Sequence, residues 1–97
     1  MSESEQQEQN LAILGQAIRQ VRERQDVTAS ELAAATGVER EQIDALEAGQ
    51  LDPTYELLLV LARGLGIRPS VFIVCAEDIR TRRRPSGASA DESSEPG

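Results

Sequence analysis

The sequence predicts an all-α fold of five short helices. Apolar residues recur at the three- and four-residue spacing of helices, and typical helix-start and helix-stop residues separate these segments. Aromatic residues are almost absent, so aliphatic side chains must fill the core. The polar ends leave about 70 residues to pack, enough for one small domain. We therefore divide the chain into a disordered segment 1–9, a helical domain 10–79 and a disordered tail 80–97.

Helix one is predicted over residues 10–25, with Asn10 as its N-cap. Its apolar face consists of Leu11, Leu14, Ala17, Ile18 and Val21. Residues 1–9 have two interpretations, a disordered segment or a frayed extension of this helix. Asp26 stands at the following turn, where a short polar side chain tolerates a left-handed backbone.

Helices two and three are predicted to meet at a glycine. Thr28 and Glu31 form the T-x-x-E pattern of a capping box that opens helix two, and Gly37 is its left-handed stop. Helix three follows over residues 40–48 and ends at Gly49. The apolar residues that two steeply crossing helices would bury are Leu32, Ala33, Val38, Ile43 and Leu46. This is the layout of a helix-turn-helix, whose second helix can enter the major groove of DNA.

Two more helices follow this unit. Thr54 is the expected N-cap of helix four, and Gly66 lies at its end. Its apolar stripe consists of Leu57, Leu58, Val60, Leu61 and Leu65. Helix five is predicted over residues 70–79, directly after Pro69. Residues 71–75 are apolar all round, so we expect part of this surface to contact a second subunit.

Composition argues against several classes of function. The chain has a net charge of −7, no histidine and one cysteine. An internal disulfide, a multi-cysteine zinc site and histidine-based catalysis are therefore unsupported, and we expect no enzyme, no metal and no cofactor. No stretch approaches the roughly 20 apolar residues of a membrane span. With no secretion signal at the N-terminus either, we expect a cytoplasmic protein without membrane contact.

An ordered set of small, apolar and charged residues extends over positions 11–79. It consists of Leu14, Gly15, Ile18, Arg22, Leu32, Ala33, Gly37, Val38, Ile43, Leu46, Glu47, Gly49, Pro53, Leu58, Leu61, Ala62, Leu65, Gly66 and Ile67. This set resembles the Cro/CI-like (XRE, lambda repressor-like) helix-turn-helix domain of phage repressors and small bacterial regulators. The resemblance implies a five-helix transcriptional regulator that reads the major groove of double-stranded DNA with helix three.

The same resemblance implies a partly buried ion pair between Arg22 and Glu47, in helices one and three. An arginine can grip a carboxylate with two parallel hydrogen bonds. The alternative interpretation is two surface charges that contribute about 1 kcal/mol or less.

The resemblance also implies which residues contact DNA. Those in and before helix three that would reach base edges are Glu39, Arg40, Glu41, Gln42, Asp44 and Ala45. Those at the start of helix two that would touch phosphate are Thr28, Ala29 and Ser30. Ala29 replaces the usual glutamine, and residues 39–50 hold four acidic residues and one arginine. We therefore expect weak, strongly salt-dependent DNA binding. A protein–protein interaction module whose acidic surface binds a basic protein partner remains the alternative.

Two further features concern assembly and the tail. The resemblance implies a homodimer through helix five, with Val71, Phe72 and Val74 at the interface. Arginines at 80–84 form the only basic cluster of the chain. This cluster has two interpretations beyond a solvated tail: it contacts phosphates, or it folds back onto the acidic helix three.

Overall fold

The computed structural model describes residues 3–83, with side chains described for residues 5–82. This part of the chain consists of α1 (Glu3–Arg24), α2 (Ala29–Thr36), α3 (Arg40–Glu47), α4 (Tyr55–Leu65) and α5 (Ser70–Arg83), and it contains no strand. The prediction of an all-α fold with five helices is confirmed.

Helix α1 is longer than the sequence analysis predicted. It begins at Glu3, so Asn10 lies inside the helix, and the prediction that Asn10 caps it is wrong. Residues 5–10 are exposed, which means that this extension projects beyond the core. It remains helical because Glu and Gln are good helix formers and because acidic side chains are stabilised near a helix N-terminus.

Caps and left-handed residues set the other helix boundaries largely as predicted. The Thr28 hydroxyl accepts a hydrogen bond from the Glu31 amide at 3.0 Å, and the Glu31 carboxylate accepts one from the Thr28 amide at 2.9 Å. Gly37 ends α2 with a φ of 81°. Thr54 caps α4 by accepting a hydrogen bond from the Leu57 amide at 3.0 Å. The turn residue Asp26 has a φ of 64°, as its position after α1 predicted.

One hydrophobic cluster joins all five helices. Its buried members are Ile13, Ala17, Ile18, Val21, Ala29, Leu32, Ile43, Leu46, Leu58, Leu61, Ala62, Leu65, Phe72, Cys75 and Ile79. The prediction that Phe72 lies at a dimer interface is wrong, because its side chain is completely buried within the subunit. Its neighbours Val71, Ile73 and Val74 are exposed instead.

A bidentate ion pair fastens α3 to α1. Arg22 Nε donates to Glu47 Oε2 at 2.7 Å, and Arg22 Nη2 donates to Glu47 Oε1 at 2.9 Å. The third donor, Nη1, reaches the carbonyl oxygen of Val27 at 2.8 Å. The two side chains are only 10% and 9% exposed. The hydrogen bond to Glu47 raises the pKa of the Arg22 guanidinium, so this group stays charged. The pair is therefore a largely desolvated contact.

The absence of side chains at two glycines allows this close approach. A Cβ at Gly15 would collide with the backbone carbonyl groups of Leu46 and Glu47 at the end of α3. Gly49 has a φ of 76°, and a Cβ there would come within 2.9 Å of the Ala12 Cα. The end of α3 therefore lies directly on the α1 backbone, where a larger residue would push it away.

Helix α5 continues past residue 79, the end that the sequence analysis expected. Residues 80–83 thus belong to the helix, and Arg80 Nη2 donates to Asn10 Oδ1 at 2.6 Å. The rest of the predicted tail, residues 84–97, lies outside the described residues.

Among residues 3–83, no single helix is long and apolar enough to cross a membrane. By length and composition, α4 and α5 could form a span broken by a 100° bend, a test that core helices also pass.

We expect Glu47→Ala to lower the free energy of unfolding by about 3–5 kcal/mol, because the buried guanidinium would lose its counter-charge. Urea unfolding followed by circular dichroism measures this change. Glu23→Ala is the control: it removes the acid of the exposed pair with Arg19, whose side chains are 62% and 53% exposed. This substitution should lower the free energy of unfolding by less than about 1 kcal/mol. A Glu47→Ala protein as stable as the control would contradict the proposed contribution of the pair.

Candidate nucleic-acid interface

Helix α3 has one buried side and one open side. Ile43 and Leu46 are buried in the core, one helical turn apart. Of the residues predicted to reach base edges, the exposed ones are Glu39, Arg40, Glu41, Gln42 and Asp44, and Ala45 is half-buried. Glu39 precedes the helix in an extended conformation, and its carboxylate makes no capping hydrogen bond. The open side of α3 thus presents polar groups on a helix whose other side is fixed by the core.

The first turn of α2 lies beside this surface. Thr28 and Ser30 are exposed, whereas Ala29 is buried and only 8% accessible. Ala29 therefore exposes little side-chain surface to a phosphate, and only its backbone is left to contact one. The hydroxyl of Thr28 is used by the capping box.

Arg40 connects the two helices. Its Nη1 donates to the Ser30 hydroxyl at 2.6 Å, and its Nε lies 3.6 Å from Asp44 Oδ2. The side chains of Arg40 and Asp44 are 59% and 54% exposed, so their attraction is weak in water. The one arginine between residues 39 and 50 is thus oriented by α2 and partly neutralised by its own helix.

A groove of about 570 Å³ lies between the end of α1, the start of α2 and one side of α3. It is lined by Arg19, Arg22, Glu23, Asp26, Val27, Thr28, Ala29, Arg40, Asp44, Glu47 and Ala48. Each of its three arginines pairs with an acidic side chain. Three arginines against four acidic residues leave no excess positive charge to attract a phosphate.

Two features of this surface were missed in the sequence analysis. Arg19 was not placed at the groove, although it shares one face of α1 with Arg22 and Glu23 at helical spacing. The hydrogen bond between Ser30 and Arg40 was also missed. No local sequence pattern could reveal it, because the two residues lie on different helices. They come together only because the turn places α3 beside α2.

Two described arginines of the predicted basic cluster already have partners on α1 and α5. Of the predicted basic cluster, Arg80 bonds to α1 and Arg82 pairs with Asp78 at 3.3 Å. Arg84 lies outside the described residues.

Known proteins resemble this chain in sequence and in structure. A helix-turn-helix family model matches residues 18–72, more than half of the chain. The restriction-modification controller protein C.AhdI from Aeromonas hydrophila is 29% identical, with a TM-score of 0.62 over 64% of this chain and 94% of that one. The clp gene regulator ClgR from C. glutamicum is 30% identical, with a TM-score of 0.68 over 71% of this chain and 88% of that one.

A comparison with curated protein sequences finds no significant match. The family model nevertheless spans α2, the turn and α3. These two structures are of regulatory proteins, and each is covered over most of its length. The chain therefore belongs to the XRE family of helix-turn-helix proteins, which are DNA-binding transcriptional regulators.

Proposed function

We propose that this regulator reads the major groove of duplex DNA with α3. The observation that carries the proposal is the open polar side of a helix whose other side is locked into the core by Ile43 and Leu46. A rigid helix presents its side chains to base edges at little cost in entropy. Arg40 suits guanine, Gln42 suits adenine, and Glu41 can accept a hydrogen bond from cytosine.

Contacts with the DNA backbone are assigned to the first turn of α2. Ser30 offers a hydroxyl group, and the amide groups of a helix start can donate hydrogen bonds to a phosphate. Thr28 contributes less, because its hydroxyl accepts a hydrogen bond from Glu31. With its side chain buried, Ala29 offers only its backbone. These contacts are few, so we infer weak binding that falls steeply with added salt.

A homodimer in the cytoplasm is part of the same proposal. Val71, Ile73 and Val74 on α5 are 38%, 44% and 65% exposed, which is a substantial apolar surface for so small a domain. A two-fold dimer would offer two α3 helices to successive turns of DNA and so compensate for weak single contacts.

The second candidate function is recognition of a basic protein by the acidic α3 surface. It is favoured by the partial neutralisation of Arg40 and by the exposed carboxylates of Glu39, Glu41 and Asp44. Such a surface attracts a basic partner over a distance and thereby raises its association rate. DNA titration separates the two candidates.

We expect Arg40→Ala to weaken binding to duplexes selected from a randomised pool by roughly tenfold, because a bidentate contact with guanine discriminates by about 1–3 kcal/mol. Fluorescence anisotropy at low salt measures the affinity. Arg68→Ala is the control: it removes the same charge from the α4–α5 turn and should change the affinity for DNA by less than about threefold. Equal losses in both variants would contradict base reading by Arg40. If no duplex binds, the second candidate function is favoured.

Asp44→Asn should strengthen DNA binding roughly threefold, because it removes a negative charge near the phosphates and frees Arg40. Asp78→Asn is a matched control, since Asp78 pairs with Arg82 four residues along α5 at similar exposure. The same titration compares the two variants. An unchanged affinity for Asp44→Asn would show that this carboxylate lies away from the DNA.

The dimer is tested by sedimentation velocity over a range of concentrations. We expect Val74→Glu to shift the chain toward a monomer, because it places a charge in the apolar α5 surface. Val60→Glu, which changes an exposed valine on α4, should leave the association unchanged. A monomeric unsubstituted protein at high concentration would exclude the dimer.

A further inference from the structure

A second groove lies where α3, the following loop and the start of α4 meet. It has a volume of about 380 Å³ and is lined by Gln42, Leu51, Asp52, Thr54, Glu56, Leu57 and Val60. It shares only Gln42 with the residues proposed to contact DNA. The other lining residues take no part in the proposed contacts with DNA.

The floor of this groove is apolar. Leu51 and Leu57 are half-buried and pack against the core, which holds them in place. Val60, one turn further along α4, is 36% exposed. A partner that covered the remaining exposed surface of these three side chains would gain hydrophobic free energy.

The rim of the groove is negatively charged. Asp52 and Glu56 are both exposed, and neither forms an ion pair with any residue of the described part of the chain. None of the lining residues is an arginine. By contrast, the groove beside α1 is lined by three arginines, and each of them pairs with an acidic side chain. The charge of Asp52 and Glu56 is thus available to an incoming group.

The sign of this charge decides the class of ligand. A phosphate backbone or a small anion would be repelled by two uncompensated carboxylates. A protein segment that carries an apolar side chain between lysines or arginines would match both parts of the groove. Its apolar residue would be desolvated at the centre, and its cations would remain at the wetter rim.

We propose that this groove docks a basic amphipathic segment of another protein. The apolar face of the segment packs on Leu51, Leu57 and Val60, and its cations pair with Asp52 and Glu56. This inference is independent of DNA binding by α3, since it requires neither Arg40 nor the first turn of α2. A segment bound here borders the polar side of α3 at Gln42, so it brings the partner beside the surface proposed to contact DNA.

The test uses the full chain and two synthetic peptides of about 14 residues, long enough for a helix that lies in a groove. One has leucines at helical spacing with lysines elsewhere, and the other has glutamates in place of the lysines. We expect only the lysine peptide to bind, by anisotropy of a fluorescent label. In ¹⁵N-labelled protein, the amide shifts should cluster at Leu51, Leu57 and Val60. Failure of the lysine peptide to bind, or equal binding of both peptides, would overturn the proposal.

Two doubly substituted proteins separate docking from general attraction to an acidic protein. Asp52→Asn with Glu56→Gln should weaken binding of the lysine peptide by roughly fivefold or more, because both rim charges are lost. Glu77→Gln with Asp78→Asn makes the same change in charge on exposed residues of α5 and should have little effect. If both proteins lose affinity equally, or if the amide shifts spread over all acidic surfaces, the groove is not the docking site.

Discussion

The position of α3 depends on how closely it can approach α1. Gly15 removes the side chain that would otherwise meet the α3 carbonyl groups, and the Arg22–Glu47 pair then connects the two helices inside the protein. Taking these two charges out of water is costly, and the bidentate geometry and the bond to Val27 offset that cost. The contact specifies one arrangement of α1 and α3, since any shift would leave a buried charge unpaired. The polar side of α3 is therefore held rigidly.

The surface beside this rigid helix does not have the charge that a polyanion favours. Arg19, Arg22 and Arg40 all lie near it, but each is paired with an acidic side chain. Local pairing cancels the long-range field that would steer DNA toward the protein, while short-range donors such as Arg40 remain. Under the proposed function, such a surface would discriminate between bases better than it would hold a phosphate backbone. This balance is why weak DNA binding and a basic protein partner are both compatible with the same helix.

The small domain has two more surfaces suited to contacts. The first part of α5 exposes the apolar residues Val71, Ile73 and Val74. The groove between α3 and α4 combines an apolar floor with uncompensated carboxylates. The partners proposed for these surfaces differ accordingly, a second copy of the chain in one case and a basic segment in the other. Of the residues proposed to contact DNA, a second copy of the chain and a basic partner, only Gln42 belongs to more than one surface.

Local patterns were sufficient to determine the five helices, most of their ends and the family. Caps at Thr28 and Thr54 and the left-handed stop at Gly37 act over three or four residues, so the sequence alone reveals them. The start of α1 was misjudged because polar Glu and Gln residues suit both a helix and a disordered segment. Only the tertiary structure decided that Phe72 is internal, that Ser30 orients Arg40 and that Asp52 and Glu56 flank an apolar groove. These features arise where segments that are distant in sequence pack together. Residue spacing along one helix carries no information about the other helices that pack against it.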